Sequence, residues 1–105
     1  MTTVAAGPFR LSELPTRPEI LAKYFRALAD ANRLRILELL RDTGELRVGD
    51  LVEQTGLTQP NVSNHLAVLR DAGLVTADRA GRVVRYRLAS PRVRALVEAL
   101  GAVTE

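Results

Sequence analysis

The apolar residues of this chain repeat at helical spacing over most of its length and switch to alternation over one short stretch. Positions three and four apart share a helix face, and from Pro18 onward Ile20, Leu21, Tyr24, Phe25 and Leu28 fall on two adjoining rows of one helix. Pro18 suits the first turn of that helix. Asp30 can cap a second helix, in which Leu34, Ile36, Leu37, Leu39 and Leu40 make much of the girth apolar, as a central helix requires. Gly44 stops it. A shorter helix is predicted over about Val48 to Thr55, with Leu51 and Val52 facing inward, followed by a tight turn at Thr55-Gly56-Leu57. Thr58 caps the next helix and Pro60 lies in its first turn. Its stripe is Val62, Leu66 and Leu69, and Gly73 ends it.

After Gly73 the period falls from 3.6 to 2. Leu74 to Arg79 and Val83 to Ala89 read as two short strands around Ala80-Gly81-Arg82. Val84, Tyr86 and Leu88 alternate with Val83, Arg85 and Arg87, which predicts an antiparallel hairpin with one apolar and one half-basic face. Ser90-Pro91 opens a last helix with Val93, Leu96, Val97 and Leu100 at i, i+3, i+4 and i+7. The first seventeen residues hold Gly7, Pro8 and Pro15 and little periodicity. Residues 1–17 are therefore expected to form an arm, flexible unless a partner pins it, and residues 18–105 a single domain. No further element remains to cover the first and last helices. Tyr24, Leu28, Val93, Leu96, Val97 and Leu100 are accordingly expected to meet a second copy, since exposed apolar patches mark partner sites.

The polar residues between these stripes point to chemistry. On the fourth helix the exposed first turns carry Gln59, Asn61, Ser63 and Asn64, where a solvated helix would carry Glu, Lys or Arg. Amides and hydroxyls near a helix start suit hydrogen bonding to base edges. Charge agrees. The formal net charge is only +3, but residues 70–94 hold seven Arg against Asp71 and Asp78, a net of +5, leaving −2 for the rest. A concentrated basic stretch is the footprint of a polyanion partner.

Composition narrows the alternatives. A chain of 105 residues with 47% hydrophobic content fits one globular domain. There is no cysteine, which removes disulfides, thiolate metal sites and thiol switches together. No basic leader precedes an apolar run, and no segment approaches the ~20 apolar residues of a membrane span. A cytoplasmic protein without membrane contact is expected. No catalytic Ser-His-Asp grouping, phosphate-binding Gly-rich loop or convergent acid pair is visible, so an enzyme is not expected. His65, the one histidine, is expected to serve packing and hydrogen bonding.

Helix, short Gly-containing turn, helix is the helix-turn-helix signature, and the full order α-α-α-α-β-β-α resembles a winged helix-turn-helix: mainly α with a small antiparallel β-hairpin. Particular residues go further. Phe25-Arg26-Ala27-Leu28-Ala29-Asp30 followed by Arg33-Leu34-Arg35-Ile36-Leu37 resembles the opening of the arsenic-repressor (ArsR/SmtB) family. Leu57 to Leu66 and Leu69-Arg70-Asp71-Ala72-Gly73-Leu74-Val75 resemble its recognition helix and exit, and Gly81 to Leu88 its wing. The resemblance implies a homodimeric repressor that binds an inverted-repeat operator in double-stranded DNA and leaves when an inducer binds. It implies that Gln59, Pro60, Asn61, Ser63 and Asn64 lie in or at the major groove. Arg82 at the wing tip would meet the backbone or adjacent minor groove, and Arg79 is expected to join the DNA contact. The dimer would pair through the first and last helices.

Metal-sensing members of that family carry Cys-Val-Cys in a Glu-Leu-Cys-Val-Cys-Asp-Leu segment. Here it reads Glu45-Leu46-Arg47-Val48-Gly49-Asp50-Leu51. Both thiolate positions are lost, and the last helix offers Glu98 but no His, so no metal or other cofactor is expected. The rival from another class is a winged-helix protein-interaction module that does not bind DNA. Such a module would need neither the Gln59/Ser63/Asn64 surface nor the wing arginines.

Overall fold

A computed structural model describes residues 9–104. Five helices and one hairpin follow in the expected order: α1 (Pro18–Leu28), α2 (Ala31–Thr43), α3 (Val48–Thr55), α4 (Gln59–Asp71), β1 (Val75–Ala80), β2 (Val83–Leu88) and α5 (Pro91–Thr104). Local chemistry sets the boundaries. The Asp30 carboxylate accepts from the backbone N–H groups of Asn32 (2.9 Å) and Arg33 (3.1 Å), satisfying free donors at the start of α2. Those bonds, with the charge of Arg33, hold its carboxyl below the usual carboxylate range. Gly44 ends α2 at φ 94°, a conformation that costs a side-chain-bearing residue steric strain. Asp50 reaches back to accept from the Arg47 N–H at 3.0 Å, half of a capping box at the start of α3. Thr58 Oγ1 accepts from the Asn61 N–H at 3.3 Å to open α4.

Helix α2 is the axle. It touches α1, α3, α4, α5 and β2, and Ile36, Leu37 and Leu40 are fully buried along it. Leu51 from α3, Val62, Leu66 and Leu69 from α4, and Leu74 and Val75 at the entry to β1 complete the centre of the core. Each such side chain contributes roughly 1.5–3 kcal/mol by leaving water.

The hairpin pairs Val75 with Leu88 through to Ala80 with Val83. The strands are thus shifted slightly from the expected limits: Ala80 belongs to β1 and the loop is the two residues Gly81-Arg82. Gly81 has φ 64°, and among the described residues no non-glycine has positive φ. That is the II′ pattern, whose twist matches that of the flanking strands. One pairing was not visible in the sequence. Leu46, in the link between α2 and α3, exchanges two backbone hydrogen bonds with Tyr86 (3.0 and 2.8 Å) and pins the base of the wing to the helical body.

The expectation for α5 is corrected. Val93, Leu96 and Val97 are 3%, 7% and 3% exposed and belong to the core of their own chain. They are covered by α2 and by part of the supposed arm, so they are not a free stripe. Phe9 packs against the core, Leu11–Glu13 form a 3-10 turn, and Leu14 is half-buried. Phe9, Glu13 and Leu14 close over Tyr24, Val93 and Leu96. Residues 1–8 of the expected arm lie outside the described residues.

Candidate nucleic-acid interface

The helix-turn-helix is α3, the left-handed Gly56 (φ 76°), and α4. Val62, Leu66 and Leu69 are 0–1% exposed and lock one side of α4 into the core. At about 3.6 residues per turn this leaves the opposite side in water. Gln59, Pro60, Asn61, Ser63 and Asn64 are all exposed there. Among the described residues, no side chain of Gln59, Asn61, Ser63 or Asn64 makes a hydrogen bond. Their donors and acceptors stay available to a partner. Gln59 and Ser63 lie on the flank of α4 nearer the wing. Asn61 joins Val68 on the other flank, where Val68 borders Lys23 and Arg26 of α1.

On the hairpin, Arg79 and Arg82 are exposed and carry no ion pair among the described residues. Not every wing arginine is so placed. Arg87 bridges Asp78 (3.2 Å) and Glu45 (3.9 Å). Arg85 lies close enough to Asp50 to help hold that carboxyl below its usual range, after the larger effects of the Arg47 backbone N–H and guanidinium. The structure therefore gathers the expected residues onto two elements, the exposed side of α4 and the hairpin tip. On the hairpin, Arg79 and Arg82 are exposed and unpaired among the described residues, whereas Arg87 is engaged by Asp78 and Glu45.

His65 sits on α4 between the buried and exposed sides. Its Nδ1 accepts from Arg33 Nη1 at 3.3 Å. Arginine can only donate, so Nδ1 is the acceptor in this contact. Arg33 also donates to the carbonyls of Ala27 (2.8 Å) and Arg26 (3.1 Å) and lies 3.8 Å from Asp30. It therefore joins the end of α1, the start of α2 and the middle of α4. The structural role of His65 was legible in the sequence, but that of Arg33 was missed. The partners are 32 residues apart, and no local pattern connects them.

A second surface forms where α1, α2 and α5 meet. Phe25 and Leu100 are 54% and 37% exposed there. Phe25 and Leu100, with Leu28, Leu34, Leu37 and Val97, line an open apolar cavity of about 460 Å³. Of the expected dimerisation residues, Tyr24 and Leu28 are half-buried and Leu100 is exposed. Phe25 was visible as an apolar position on α1 but was not singled out.

Arg47 caps α3, its guanidinium 3.5 Å from Asp50, and Gly49 offers no ligand. Among the described residues no group of three or more His, Cys, Asp or Glu is arranged to hold an ion. Nor is any described helix long and apolar enough to cross a membrane.

Comparison with known proteins agrees with this arrangement. The family described as "Bacterial regulatory protein, arsR family" matches residues 30–77, from the α2 cap into β1. A probable mercury resistance operon repressor of Streptomyces lividans is 44% identical over 93 residues, covering 88% of this chain and 74% of that protein. The HTH-type transcriptional regulator CmtR of Mycobacterium tuberculosis (strain ATCC 25618 / H37Rv) is 51% identical over 85 residues, covering 81% and 69%. Among solved structures, the homodimeric winged helix-turn-helix DNA-binding domain of Mb0332 from Mycobacterium bovis superposes with a TM-score of 0.77 at 35% identity, over 82% of this chain and 79% of that one. By sequence and by fold, the chain belongs to the arsR family of bacterial regulatory proteins.

Proposed function

We propose that this protein is a homodimeric, sequence-specific DNA-binding repressor of transcription that works in the cytoplasm on an inverted-repeat operator and is released by an inducer. The observation that carries the reading is the outer side of α4. Four uncharged hydrogen-bonding side chains stand unpartnered on a helix whose other side is locked in the core. Gln59, Ser63 and Asn64 read base edges, Pro60 and Asn61 border them, and Arg79 and Arg82 meet the backbone or minor groove. Residues 18–105 form the DNA-binding and dimerisation domain. Phe9 to Leu14 serve as a strap over α1 and α5.

The second copy meets the α1/α5 face through Phe25, Leu28 and Leu100, with Tyr24 at its edge. Covering the apolar cavity there removes exposed apolar surface from water. Val93, Leu96 and Val97 support that face from beneath.

Selection of duplexes from a random pool tests the reading. The enriched sequence is expected to be an inverted repeat with half-sites about 34–36 Å apart, one helical turn. Asn64→Ala, Ser63→Ala and Gln59→Ala should each relax preference within a half-site, by about 1–3 kcal/mol where a bidentate pair is lost. A pool that yields no common sequence, or preference unchanged in all three variants, refutes it.

A further inference from the structure

The flank of α4 that carries Gln59 and Ser63 continues past the base-reading turns. At about 100° per residue, Arg70 returns to the line of those two side chains, roughly 16 Å along the axis from Gln59. There the flank meets the wing. Ser63, Leu66, Ala67, Arg70, Asp71 and Tyr86 line an open groove of about 500 Å³ between α4 and β2. Its walls are largely polar, unlike the apolar cavity on the α1/α5 face.

The charges in this groove are not balanced internally. Arg70 is exposed and makes no ion pair or side-chain hydrogen bond among the described residues. Asp71, the acid lining the groove, is 3.3 Å from Lys23 of α1, whose charge offsets it. Tyr86 is held in place by its two backbone bonds to Leu46, so one wall is fixed to the helical body rather than to the hairpin tip.

We propose that this groove seats a phosphate of the DNA backbone. The Arg70 guanidinium is its main partner, and the Tyr86 hydroxyl is a further donor. The duplex is then gripped between recognition helix and wing base, and not by the wing tip alone. The inference rests on the DNA-binding reading above and adds to it a device for register. A guanidinium matches phosphate geometry, and a phosphate contact beside α4 fixes how far along the groove Gln59, Ser63 and Asn64 come to lie.

Two probes suffice, a duplex selected from the random pool and a scrambled duplex of equal length, titrated across a range of salt. Arg70→Gln is expected to weaken both by a similar factor, roughly fivefold per protomer at 0.15 M salt. It should flatten the slope of log affinity against log salt by about 0.9 per protomer. Arg70→Lys should keep most of the slope. Tyr86→Phe should cost less, and little further in the Arg70→Gln background, because both groups would hold one phosphate. Thermal melting checks that each variant folds. If the wild type binds the selected duplex and Arg70→Gln leaves its salt slope unchanged, the phosphate seat is wrong while the DNA-binding reading stands. The seat is equally wrong if the Arg70 and Tyr86 losses multiply independently. If the wild type binds neither duplex, both readings fall.

Discussion

Helices α4 and α5 are nearly equal in length, 13 and 14 residues, and each carries apolar residues at the same three- and four-residue spacing. Their fates in the fold differ. The stripe of α4 is buried and its other side stands in water with uncharged hydrogen-bonding groups. The stripe of α5 looked available for a partner, yet Val93, Leu96 and Val97 are buried by the chain itself. Periodicity shows that a helix has something to hide. It does not show what hides it. For α4 the residues off the stripe carried the information. For α5 the answer lay in Phe9 and Leu14, more than eighty positions from Leu96 and Val97 in the case of Phe9, and in a shared contact with α2.

The largest expected effect separates core from interface on α5. Leu96→Asp puts a charge where 7% of the residue is exposed, and burial of an unpaired carboxylate costs several kcal/mol. The variant should lose its cooperative melt altogether. A folded monomer would return Leu96 to the interface and undo the comparison.

Phe25→Asp should behave in the opposite way. The side chain is 54% exposed in one chain, so the melt of the folded unit survives, while sedimentation shifts from dimer to monomer. Operator affinity should fall at least about a hundredfold, since two half-sites no longer bind as a linked pair. A dimer that persists places the second copy elsewhere.

A smaller effect sharpens the account of the wing. Arg82→Ala should weaken selected and scrambled duplexes about equally and flatten the salt slope by about 0.9 per protomer. The fold should be unchanged, because an exposed loop side chain buries little. Arg87→Ala, which breaks pairs to Asp78 and Glu45, should move the slope less. Equal slopes for both variants would mean that the ion pairs do not withhold Arg87 from DNA.

The smallest effect is a titration. The carboxyl of Asp30 is held below its usual range by the backbone N–H of Arg33 first, with the Arg33 charge and the Asn32 N–H adding to it. A depressed carboxyl stabilises the fold above its unfolded value, near pH 4, and that contribution fades as pH falls through the folded value. Asp30→Asn keeps a capping oxygen without the charge. The melting difference between wild type and this variant should therefore hold above about pH 4 and shrink as pH falls below it. A constant difference would mean that charge plays no part in the cap.

Much of the architecture was legible because its signals are local. Pro18, Asp30, Gly44, Thr58 and Gly73 act on their own turns, and helix starts and stops follow from them. The exposed, uncharged side of α4 was legible for the same reason. What stayed hidden joins distant segments. The Leu46–Tyr86 bridge is one residue wide and has no period. The Arg33–His65 contact spans two helices, and the groove at Arg70 exists only once α4 and β2 are side by side. Arg87 looked like its neighbours in the basic run until the hairpin placed Asp78 and Glu45 beside it.

The two-stranded wing has a further consequence for solubility. A sheet of two strands has two outer edges, and among the described residues only Tyr86 of these strands finds a further backbone partner, in Leu46. Open edges template pairing with other chains, and charged side chains along them oppose it. Asp78, Arg79, Arg85 and Arg87 therefore guard the hairpin against edge-to-edge aggregation, whatever else they meet. A variant stripped of all its wing charges would not be a clean DNA-blind control: its loss of binding would be mixed with self-association, and single substitutions at the tip are the better instrument.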